Sequence, residues 1–116
     1  MLIIIIISFL TPIVRLFGGN IPHEGQVEVF YNGNWQSVCS SEWDLKDANV
    51  VCRQLGFEGA MREVKRAGFA RRSGIAGMDD VQCAGNESSL TECEHERLER
   101  WSSCGDYASV ICIPGN

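Results

Sequence analysis

Hydrophobic positions recur along this chain in short alternating runs broken by turn residues, and one stretch switches to helical spacing. Val27, Val29 and Tyr31 alternate with Glu28 and Phe30, Asn32-Gly33 interrupts, and Trp35 and Val38 resume an apolar run. Asn-Gly readily adopts the positive φ angles of a two-residue type I′ turn, so the stretch predicts a β-hairpin. A strand-like run over 13–17 precedes it, and Ala108 to Ile113 reads as a closing strand. In LKDANVVCRQLG the residues Leu45, Ala48, Val51, Cys52 and Leu55 share one helical face. Asp44 caps the helix start, Asp47 lies in the first turn where an acid is favoured, and Gly56 can take the left-handed conformation that ends it. The helix is expected over about 45–55 with Cys52 directed inward. SSLTEC predicts a short second helix over about 88–93, capped by Ser88. No internal repeat follows residue 11. The pattern is that of an α+β domain with one principal helix against a curled antiparallel sheet.

The start of the chain changes the picture. Met1 to Leu10 reads MLIIIIISFL, an apolar run of signal-peptide core length that falls short of the roughly 20 residues needed to span a bilayer. It has no basic residue before the apolar run and no small-x-small cleavage site before Pro12. Three readings stay open: a signal sequence of unusual form, a truncated chain start, or an uncleaved anchor. Residues 1–11 are therefore treated as an apolar leader, and the folded domain is expected over 13–113.

At 116 residues the chain has room for one domain, and its 45 % hydrophobic and 22 % charged residues suit a folded soluble chain. Acids outnumber bases by 15 to 10, so a surface devoted to nucleic acid is not expected, and any anion-binding surface must be local. Six cysteines, Cys39, Cys52, Cys83, Cys93, Cys104 and Cys112, are widely spaced without a C-x-x-C pair. Zinc knuckles use closely spaced pairs, whereas small extracellular domains use disulfides to compensate for a limited core. Six cysteines allow fifteen pairings, and spacing does not choose among them. An oxidising, extracellular compartment follows.

Catalytic chemistry has little support. Ser102 and Ser103 lie near His95 in sequence, but no G-x-S-x-G elbow orients a nucleophile. His95-Glu96 begins an H-E-x-x-H motif that lacks its second histidine, and no phosphate-cradling glycine loop is present. His95 is expected to be an exposed loop residue, and Asp79-Asp80 a pair of turn and strand-edge carboxylates. Asn86-Glu87-Ser88 is an N-glycosylation sequon, expected at a surface turn between Cys83 and Cys93.

Four motifs in order carry a resemblance: VRLFGG-x-x-x-HEGQVEVFYNGNWQSVC, EWDLKDANVVCRQLG, MDDVQCAGNESSLTEC and a closing C-x7-C. From about Val14 to Cys112 the chain resembles the scavenger receptor cysteine-rich (SRCR) domain. The resemblance implies a curved sheet of five or six strands cradling a helix. Members with eight cysteines have an extra pair that would lie near His23 and at Phe57. Both are missing here, so the chain is similar to the six-cysteine group A. That implies the pairing Cys39 with Cys104, Cys52 with Cys112, and Cys83 with Cys93.

Family members that bind calcium commonly carry two aspartates after the cysteine that ends the hairpin and a late glutamate. Here those first positions are Ser40 and Ser41, and Asp106 is the one relic of the late acid. Calcium takes six to eight oxygen ligands, several of them carboxylates, so two serines and one aspartate leave calcium possible only at a weak site, and no cofactor or metal is expected. The resemblance implies a non-catalytic extracellular recognition module for polyanionic, microbial or protein ligands, secreted or at the cell surface. The alternative is an accessory or stem domain of a larger protease, lysyl-oxidase-like or receptor protein, with no ligand of its own. A membrane enters only through a missing or amino-terminal anchor.

Charge placement suggests where a ligand would bind. Arg62, Lys65, Arg66, Arg71 and Arg72 fall within eleven residues with Glu63 the one acid, a net +4, while the remainder carries −9. Gly68 and Gly74 allow a curved loop, and converging guanidinium groups bind sulfate or phosphate in bidentate fashion.

Overall fold

The computed structural model describes residues 13–64, 75–98 and 104–115. Strands β1 (Ile13–Gly18), β2 (Glu24–Tyr31) and β3 (Asn34–Val38) come first, followed by helix α1 (Leu45–Gln54) and strands β4 (Ala60–Val64) and β5 (Ala76–Gln82). A 3₁₀ turn (Leu90–Glu92), β6 (Glu94–Arg97) and β7 (Ser109–Cys112) complete the order. The hairpin turn has φ of 51° at Asn32 and 80° at Gly33, as a type I′ turn requires. It sets Phe30 opposite Trp35 and Tyr31 opposite Asn34.

Six strands follow one hydrogen-bonded path, β4-β7-β2-β3-β5-β6, and β1 pairs with β2 outside it. β1 takes one edge of β2 along its length, so β7 and β3 share the other, β7 at Glu24–Gln26 and β3 at Glu28–Tyr31. That sharing bends the sheet. The pairing departs from the expected all-antiparallel sheet at one place, since β3 and β5 run parallel. α1 and β4 lie between them in the chain, the kind of long crossover that a parallel pair requires.

Helix α1 has the predicted cap. The Asp44 carboxylate accepts from the Lys46 and Asp47 N–H groups at 3.0 and 3.2 Å, and Asp47 accepts from the Asp44 N–H at 2.9 Å. The end is a Schellman arrangement, with Gly56 at φ +99°, its N–H donating to Arg53 and the Phe57 N–H donating to Cys52. The buried flank includes Val50, while Leu45, expected on the apolar face, is 45 % exposed. The helix packs against β4, β5, β7 and the 3₁₀ turn at once, so burial follows the curled surroundings rather than one stripe. The second helix is shorter than expected, a single 3₁₀ turn whose cap is Ser89 instead of Ser88. Ser89 Oγ accepts from the Thr91 N–H, and the Ser88 N–H is held by Glu92.

Trp43 lies at the centre of the core, fully buried, and donates through Nε1 to the Ser109 carbonyl at 3.1 Å. The disulfides are Cys39–Cys104, Cys52–Cys112 and Cys83–Cys93, the pairing that the resemblance implies. The first joins the hairpin end, and the second the main helix, to the carboxy-terminal part of the chain. At the place where eight-cysteine members carry their extra pair, the rings of His23 and Phe57 meet edge to face at 6.4 Å.

Candidate ligand-binding surface

Period-two alternation gives β2 two faces. Val27 and Val29 face the core, and Gln26, Glu28 and Phe30 point the other way, a side that sequence alone reads as wet. Yet Gln26 and Glu28 are buried, as are Ser37 of β3 and Ser109 of β7. The register places Gln26 opposite Ser109 and Glu28 opposite Ser37, so the four make one polar layer. Gln26 Nε2 donates to Ser37 Oγ at 3.2 Å. Arg15 of β1 donates through Nε to Glu28 at 2.7 Å, and its guanidinium lies 3.9 Å over the Trp35 ring. Ser109 Oγ has no hydrogen-bond partner among the described residues.

The basic segment is tied to this layer at both ends. β4 ends at Val64, opposite Ser109, and β5 begins beside Ser37, whose N–H donates to the Ile75 carbonyl at 2.9 Å. Arg62 is exposed on β4. Lys65, Arg66, Arg71 and Arg72 lie outside the described residues, as do Ser102 and Ser103. Val64 and Ile75, the described residues on either side of 65–74, therefore lie at the end of β4 and the start of β5, strands that pair with β7 and β3, the two neighbours of β2 on the path. The sequence showed the charge of this segment but not where its ends are fastened, because the β3–β5 and β4–β7 pairings join distant parts of the chain.

The other predicted positions fall as follows. Ser40 and Asp106 are brought together by the Ser40 N–H, which donates to the Asp106 carbonyl at 3.0 Å. With Ser41 they offer two hydroxyls and one carboxylate. Asp79 and Asp80 serve a bulge in β5: Asp80 has φ 53°, its N–H donates to Asp79, and its carboxylate accepts from Gln82. His95 is not an exposed loop residue. It is half-buried in β6, with Nδ1 2.7 Å from the Cys93 carbonyl. The strand forms because β5 offers an edge, a long-range pairing that residues 94–97 alone do not announce. Asn86 is exposed as expected.

An acid-lined cleft of about 410 Å³ includes Glu42, Asp44, Glu87 and Glu94, with Lys46 at its side. Glu87 accepts from the Ala84 and Gly85 N–H groups at 2.8 and 2.9 Å, and these hold its carboxyl below the usual carboxylate range. Asp47, also missed as a buried group, accepts from the Cys83 N–H at 2.8 Å and so ties the helix start to the Cys83–Cys93 lobe. Burial pushes its carboxyl up to about 6 against these hydrogen bonds.

The scavenger receptor cysteine-rich domain model matches residues 17–113, nearly the whole described fold. The chain belongs to this family. The SRCR domain is 46 % identical over 103 residues to the macrophage scavenger receptor types I and II of Bos taurus, covering 85 % of this chain and 22 % of that protein. It is 49 % identical over 81 residues to the galectin-3-binding protein of Pongo abelii, covering 70 % of this chain and 14 % of that one. The chain thus spans less than a quarter of the length of either relative. Among solved structures it resembles the third SRCR domain of murine neurotrypsin, with a TM-score of 0.76 and 40 % identity over 87 % of this chain and 95 % of that one. SRCR domains occur in secreted and cell-surface proteins, in general as non-catalytic recognition modules, and the extracellular setting agrees with the three disulfides here.

Proposed function

We propose that this SRCR domain is a non-catalytic recognition module for polyanionic ligands, sulfated polysaccharides or microbial surface polymers, and that Arg62, Lys65, Arg66, Arg71 and Arg72 form its main binding surface. The observation that carries the reading is a +4 segment held at both ends on the sheet of a domain that is otherwise −9. Fastened ends limit the volume through which the basic side chains range, and the acidic remainder orients the domain so that this side meets an anionic surface. Binding needs no calcium, because Ser40, Ser41 and Asp106 supply a single carboxylate to a cation that prefers several. Guanidinium groups engage sulfate and phosphate directly.

Heparin binding by the oxidised chain tests this. Affinity is expected to fall steeply as salt rises, through screening and counterion release, and to survive chelator. Replacing Arg66, Arg71 and Arg72 together by glutamate is expected to abolish binding with the disulfides and circular dichroism unchanged. Undiminished affinity in that variant, or loss on chelation, refutes the reading. A second reading, an accessory domain with no ligand of its own, is favoured by the small share of its relatives that the chain spans and by a structural neighbour that is the third such domain of its protein. Absence of binding to heparin and to bacterial surfaces alike would select it.

A further inference from the structure

One end of the sheet gathers exposed apolar and aromatic side chains. Ile13, Phe30 and Trp35 are cross-strand partners on β1, β2 and β3, so their side chains stand in one row on one face. Tyr31 projects from the opposite face of the same hairpin end. Ile13 is 51 % exposed, Phe30 40 % and Tyr31 38 %, an apolar rim among the described residues. An arginine lies flat on each of two rings, Arg15 at 3.9 Å over Trp35 and Arg97 at 3.7 Å over Tyr31. Trp and Tyr beside long cationic side chains form the belt that favours the membrane–water boundary, where rings sit at headgroup depth and guanidinium groups reach lipid phosphates.

The sequence joins this rim to a second apolar feature. MLIIIIISFL, whose one polar side chain is Ser8, ends just before Thr11 and Pro12, and Ile13 follows. Burial of this run in the hydrocarbon leaves the domain at the surface from which its last residue, Leu10, emerges. The three steps from Leu10 to Ile13 extend at most about 11 Å. Burial of the run would therefore bring Ile13, and the end of the sheet to which it is paired, against the headgroups. The residues that would arrive there are Phe30, Tyr31 and Trp35 with their arginines.

We propose that the sheet end formed by Ile13, Phe30, Tyr31 and Trp35 docks on the interfacial layer of a phospholipid bilayer into which Met1–Leu10 inserts. The surface is distinct from the basic segment and works mainly through apolar insertion, so its contact with lipid is only weakly salt-dependent.

The full oxidised chain, reconstituted with phosphatidylcholine vesicles brominated at shallow or deep acyl positions, tests the proposal. Trp35 emission is isolated as the difference between the wild type and W35F, and Trp43, fully buried, stays unquenched. Shallow bromines are expected to quench the Trp35 signal more than deep ones, at low and high salt alike. Phe30→Asp, with Ile13→Asp as a second variant should the first fold poorly, is expected to remove the quenching while the chain stays vesicle-bound through its leader. The triple arginine variant that abolishes heparin binding is expected to leave the quenching intact, which separates this proposal from the previous one. A vesicle-bound chain whose Trp35 is unquenched, a full chain that does not bind vesicles, or a mature protein from expressing cells that begins at or after Thr11 overturns it.

Discussion

Replacing Asp47 by asparagine should invert its effect on stability between acid and neutral pH. The carboxylate is fully buried, with one oxygen accepting from the Cys83 N–H at 2.8 Å and the other from the Asp44 N–H at 2.9 Å. Asparagine keeps an acceptor for Cys83 but turns its amide NH₂ toward the Asp44 N–H, a donor facing a donor. Loss of that cap bond costs about 1–2 kcal/mol at any pH. Against this stands burial of charge. Burial pushes the Asp47 carboxyl from 3.8 up to about 6 in the folded domain, so the native state holds the proton more tightly than the unfolded chain does. The stabilisation that follows is complete below about pH 3.8 and is lost as pH rises through about 6, up to about 3 kcal/mol in all. Asparagine has no such loss. The wild type is therefore expected to be the more stable by about 1–2 kcal/mol near pH 4, and D47N to overtake it by a similar margin near pH 7. Urea unfolding of both oxidised proteins across this range, compared at each pH, isolates the Asp47 contribution from that of other carboxylates. A stability difference that stays constant with pH, or that moves in favour of the wild type as pH rises, refutes the reasoning.

Two further outcomes follow from the fold and its surface. Removing either long-range disulfide by a paired Cys→Ala change, Cys39 with Cys104 or Cys52 with Cys112, should cost about 4 kcal/mol, since each closes a loop of 60 residues or more, whereas Cys83–Cys93, ten residues apart, should cost about 3 kcal/mol. Chemical denaturation of the three variants checks the order, and equal losses would point to native-state contacts rather than loop closure. In a secreting eukaryotic cell Asn86 should carry a glycan, seen as a mass shift on glycosidase treatment that is absent in N86Q; an unshifted wild type removes the site.

The local chemistry of the hairpin and of the main helix was legible. The hairpin turn rests on Asn32 and Gly33, both of which tolerate positive φ, and the helix limits rest on Asp44 and Gly56, each acting within a few residues of itself. The polarised charge and the extracellular compartment follow from composition and the cysteine count. The motifs implied the family and, through it, the disulfide pairing that spacing could not choose.

What the sequence by itself determined, then, was the hairpin turn and the main helix, which depend on neighbours along the chain, together with the family that its motifs mark. Only the tertiary structure decided that β3 and β5 pair in parallel, that residues 94–97 form a strand around His95, and that Gln26 and Glu28 are buried on the side of β2 away from the valines. It alone showed that Leu45 is left uncovered while Val50 is covered, and that Arg15 stacks on Trp35 across two strands. The reason is physical. A periodic pattern states which side of an element is apolar, but whether the other side meets water depends on which distant strand or segment lies over it, and that is set by the closure of the whole sheet.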